Sequence, residues 1–85
     1  MMIPTVHLNG TGQASLLSEL RQAYTAVLEA IDTVQQVTVH GRDYYPQGEH
    51  AYRQARHEMD ARLEALRSVR EDLLTMHRAI EQQGR

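Results

Sequence analysis

The stretch Val39-His40-Gly41-Arg42-Asp43-Tyr44-Tyr45-Pro46-Gln47-Gly48 decides how the rest of the chain is read. It holds two of the chain's four tyrosines and one of its two prolines. Two glycines bracket it, and Pro46 has no amide proton to give a helix, so a helix must break here. A long segment with helical periodicity lies on either side. If the two segments pair, this stretch is the tip of a helical hairpin.

Upstream, apolar residues fall at Leu17, Leu20, Tyr24, Val27, Ile31 and Val34, with alternating gaps of three and four. That is a heptad seam and predicts a helix over residues 12–38. Leu16 and Leu28 widen its apolar stripe, and Ala23, Ala26 and Ala30 let another helix approach closely. Val37, Thr38 and Val39 are β-branched and weaken its end.

Downstream, the seam reads Tyr52, Ala55, Met59, Leu63, Leu66, Val69, Leu73, Met76 and Ile80, which predicts a second helix over 49–83. Its gaps at Met59–Leu63 and Leu66–Val69 depart from strict heptads, so the packing must adjust locally. At 1.5 Å per residue the helices would be roughly 39 Å and roughly 50 Å long. The longer one overhangs the start of the shorter, exposing Met76 and Ile80.

Residues 1–11 read as an arm. Pro4 and the β-branched Ile3, Thr5 and Val6 favour an extended path, Asn9-Gly10 signals a turn, and Thr11 is the expected N-cap. Ile3, Val6 and Leu8 of this arm, or a neighbouring subunit, could cover the overhang.

Eighty-five residues without Phe or Trp make one small domain with a thin core of Leu, Val, Ile, Met and Ala. A second copy would complete it, so a homo-oligomer is expected. The chain has no cysteine, which removes disulfides, zinc–thiolate sites and thiol nucleophiles together. All its basic residues are arginine, eight of the nine from Arg42 onward, yet the net charge is −2. That balance disfavours bulk nucleic-acid binding. With no secretory signal or membrane-length apolar run, the chain reads as soluble and intracellular, without a membrane partner.

Two stretches carry candidate binding chemistry. In the tip, Arg42 offers a fork for phosphate, and Tyr44 and Tyr45 offer stacking faces and hydroxyls. In the arm, His7, Asn9 and Thr11 sit with two glycines before a helix N-terminus, where free amides suit an anion. Each has a plainer structural reading: an Arg42–Asp43 ion pair with a tyrosine plugging the tip, and a capped helix start. His50 and His57 lie about 10 Å apart along one helix, too far to share a metal ion. No nucleophile, paired carboxylates or catalytic triad stands out, so neither an enzyme nor a cofactor is expected. Arm and tip lie at opposite ends of one hairpin and could share a ligand only across antiparallel copies.

The run Ile3-Pro4-Thr5-Val6-His7-Leu8-Asn9-Gly10-Thr11, with the later Gly41-Arg42-Asp43-Tyr44-Tyr45-Pro46, resembles a group of small uncharacterised proteins of bacteriophages and prophages. The resemblance spans most of the chain and implies a phage accessory protein in the cytoplasm of the infected bacterial host. By architecture alone the chain is also similar to phage helical-hairpin sponges, which sequester cyclic nucleotide or ADP-ribose immune signals. The expectation is therefore an all-α antiparallel hairpin, completed by homo-oligomerisation, that binds a small nucleotide-type ligand without turnover. The alternative is a helical module that engages a host protein, or a minor virion assembly component.

Overall fold

The structure, a computed structural model, describes residues 1–83. It is all-helical: α1 spans Gln13–Gln35, α2 spans Gly41–Tyr44, a single 3-10 turn spans Tyr45–Gln47, and α3 spans Ala51–Gln82. The molecule measures 61 × 20 × 19 Å, with a radius of gyration of 18.8 Å. A compact domain of this length would have a radius of gyration of about 12 Å, so the long helices set the shape.

α1 lies beside α3 and runs against it. At one end the Gln13 side-chain amide donates to the carbonyls of Ile80 (2.9 Å) and Glu81 (3.3 Å). At the other, Val34 and Gln35 share a groove with Met59 and Leu63. All six expected seam residues of α1 are buried or half-buried. The expected seam of α3 holds except at Val69, which is 45% exposed. Arg70 and His77 are half-buried instead. The reason is helical geometry: from Leu66, steps of four, three, four and three reach Arg70, Leu73, His77 and Ile80, the regular heptad stripe. Their apolar stems can lie along the seam while the polar ends reach water.

The core is thin. Only Ile31, at 7% exposure, and Ile80, at 0%, are buried among the described residues. The expected overhang at the start of α1 is absent: Gln13 lies level with Ile80 and Glu81, so the extra length of α3 falls at its Ala51 end beside the tip, and Met76 is half-buried and Ile80 buried rather than exposed. The arm is fastened at this same end. The Gln83 side chain accepts from the Val6 amide (2.8 Å) and donates to the Pro4 carbonyl (2.8 Å), like one rung of a β-ladder. Ile3 and Val6 are half-buried here. Leu8 is fully exposed and takes no part in the cover. It sits in the turn expected at Asn9-Gly10, closed by the Gly10 amide donating to the His7 carbonyl at 3.1 Å.

Three local expectations shift. Thr11 is not the N-cap: Gly12 takes that position with no side-chain hydrogen bond, and Gln13 reaches across to α3 instead. α1 ends at Gln35, before the β-branched Val37-Thr38-Val39 run, and α3 begins at Ala51, two residues later than expected. The tip is no open loop, because Gly41–Tyr44 closes a helical turn and Tyr45–Gln47 a 3-10 turn with Pro46 early in it. Proline is tolerated in a first turn, where its missing amide has no partner to lose.

Candidate functional site

The tip places three tyrosines around one cleft. It has a volume of about 320 Å³ and is lined by Gly41, Tyr44, Tyr45, Gly48, Glu49 and Tyr52. Tyr44 ends α2 and is half-buried, whereas Tyr45 is 85% exposed. Two glycines shape the cleft. Gly48 has φ of 108° and ψ of 170°, a region that essentially only glycine adopts, and there the chain turns into α3. A side chain at Gly41 would sit 4.0 Å from the Tyr52 ring.

Tyr52 falls on the helix seam by its spacing, which conceals its place in the cleft. At the first turn of a seam, the residue that closes the helix interface also faces the connecting segment, and spacing alone separates neither role. Its hydroxyl accepts from the Arg56 guanidinium at 3.3 Å. Arg53 donates to His50 Nδ1 at 2.8 Å, which places a second cationic group near the start of α3.

Arg42 stands on α2, exposed, outside the immediate lining. The expected alternative of an Arg42–Asp43 ion pair is not formed. The salt bridges among the described residues are Arg67–Glu64 at 3.8 Å and Arg70–Glu71 at 3.4 Å, both on α3. The Arg42 fork is therefore free for an anion, while Glu49 puts an opposing carboxylate on the rim.

The arm group is built differently. The His7 ring folds over Gly10, so closely that a Cβ at Gly10 would meet His7 Nε2 at 2.6 Å. Asn9 and Thr11 are exposed, with no hydrogen bond from either side chain. All three lie at the Gln83 end of α3, whereas the tyrosine cleft lies at its Ala51 end. With 32 residues between, α3 separates the groups by roughly 48 Å. One chain does not bring the six candidate residues together; it brings Tyr44 and Tyr45 together, with Arg42 nearby.

Among the described residues no three His, Cys, Asp or Glu side chains gather to hold a metal ion, and no helix is long and apolar enough to cross a membrane. No family model, curated protein or solved structure matches this chain.

Proposed function

We propose that this chain is a non-enzymatic phage accessory protein, an antiparallel helical hairpin completed by homo-oligomerisation, that captures a small planar anion of nucleotide type at its tip. The observation that carries the reading is the convergence of Tyr44, Tyr45 and Tyr52 on one cleft beside the unpaired Arg42. Tyrosine faces take a purine or pyrimidine ring with little sequence demand, and an arginine fork takes phosphate. Held without turnover, a cyclic nucleotide or cyclic ADP-ribose derivative would be withdrawn from bacterial immune signalling. His7, Asn9 and Thr11, with the free amides at the start of α1, form a second anion-binding element at the far end.

Native mass spectrometry of the purified protein, alone and with a panel of cyclic nucleotides and cyclic ADP-ribose isomers, tests this reading. A discrete oligomer that gains one or more ligand masses supports it. An oligomer that gains none removes it.

One observation favours a second reading. Among the described residues two side chains are buried and most of the seam is half-buried, with Leu28 and Val69 exposed on α1 and α3, and long amphipathic helices of this kind dock on other proteins. In that case a host protein, not a small ultraviolet-absorbing ligand, copurifies.

A further inference from the structure

We propose that the ring held in the tip cleft carries a positive charge: the ligand is a nucleotide whose base is an N-alkylated purine or a pyridinium. The inference rests on the tip capture proposed above and names its class of ligand.

The side chains that line the cleft are three tyrosines and one carboxylate, Tyr44, Tyr45, Tyr52 and Glu49, with Gly41 and Gly48 supplying backbone. No cationic side chain is among them. A tyrosine ring is negative on its faces, so it attracts a cation placed over it, most strongly where water is displaced. A neutral base stacks on the same rings but makes no use of the Glu49 charge. A bare anion is repelled by it. Only a cationic ring uses all four side chains at once.

The arginines near the tip leave this balance intact. Arg42 is exposed on α2, next in the chain to Gly41 but outside the lining. Arg56 meets Tyr52 at its hydroxyl, 3.3 Å away, and lines the neighbouring hollow together with Asp60. Arg53 turns to the His50 ring at 2.8 Å, and both are exposed and absent from the lining. Asp43 is exposed on α2 beside Arg42 and absent from it too. Negative charge is thus built into the cleft, and positive charge stands outside it. A ligand that matches both has a cationic ring in the cleft and a phosphate reaching out to Arg42. A plain nucleotide matches only the second. At about 320 Å³ the cleft is small for a ligand pocket, with room for one ring system rather than two.

Two isomeric ligands separate ring charge from size and phosphate. 1-Methyl-AMP has a cationic ring at neutral pH, whereas N6-methyl-AMP has the same heavy atoms and a neutral ring. Calorimetry on the whole protein should give 1-methyl-AMP an advantage of roughly fivefold or more. Glu49→Gln, at an exposed position, should weaken the cationic isomer and tighten the neutral one, cancelling most of that advantage. Tyr45→Leu keeps an apolar side chain at a site 85% exposed, so the fold is spared. It removes one ring face and should lower the advantage as well. Arg42→Ala should weaken both isomers alike and leave their ratio unchanged. In proton NMR spectra the ring signals of Tyr44, Tyr45 and Tyr52 should move on saturation with 1-methyl-AMP. Those of Tyr24, which lies against Leu73 and Leu74 instead, should stay. Equal affinities, a preference that survives Glu49→Gln, or no binding of 1-methyl-AMP each overturn the charged ring. Tip capture falls separately, only if the neutral isomer and the cyclic nucleotides of the panel also fail to bind.

Discussion

At the residue scale, Tyr44 and Tyr52 come from separate helical pieces and meet because the chain turns at Gly48. Alanine there would have to hold a φ of 108° that costs a side chain roughly 1–3 kcal/mol. Gly48→Ala should therefore lower Tm by several degrees in a thermal melt and loosen the cleft, although no atom lies near enough to clash. For ligand capture, Tyr44→Ala and Arg42→Ala should each weaken binding at least tenfold by calorimetry, with helical content unchanged. Unchanged affinity in both variants would remove the tip from the site. Glu49 supplies the opposite sign. A carboxylate about 4 Å from a bound phosphate costs about 1 kcal/mol even in water, so Glu49→Gln should tighten binding of an anion by about fivefold. The tyrosine pair was legible because Pro46 and two glycines mark a break and aromatic side chains in a break are conspicuous. Tyr52 was not, because its helical spacing explained it fully. The His7 fold over Gly10 was equally hidden, being set by a turn's three-dimensional closure.

At the element scale, the two long helices were legible because burying one face of a helix forces the three–four spacing that the sequence displays. Their ends were less so. Val37 to Val39 weaken a helix without stating where it stops, and the helical turn at Gly41–Tyr44 is too short to carry a period. The departure at Val69 shows the limit of a hydrophobic pattern: the stripe follows the helical repeat through Arg70 and His77 even though neither is apolar. The arm was legible as extended, but its fastening was not, since Gln83 lies 77 residues from Val6. Removing that amide tests the fastening. Gln83→Ala loses both arm hydrogen bonds, worth about 1–3 kcal/mol together. Hydrogen exchange at Val6 should then speed up roughly tenfold or more, while amides in the middle of α3 keep their protection. Equal exchange at Val6 in both proteins would show that packing, not Gln83, holds the arm.

At the scale of the whole molecule, the described residues bury two side chains, Ile31 and Ile80. The rest of the seam is largely half-buried, because a structure 61 Å long and 20 Å wide has little interior. Docking a second copy along the helix pair converts half-buried leucines into buried ones without ordering any new chain. If folding and association are one event, stability depends on protein concentration. Each tenfold dilution then removes about 1.4 kcal/mol per dimer. For a unit of roughly 170 residues that corresponds to a fall in Tm of about 3–6 °C. Thermal melts at concentrations spanning two decades should therefore shift by about twice that amount. A Tm that does not move with concentration would mean that the helix pair holds itself together alone, and that the half-buried stripe serves a different partner.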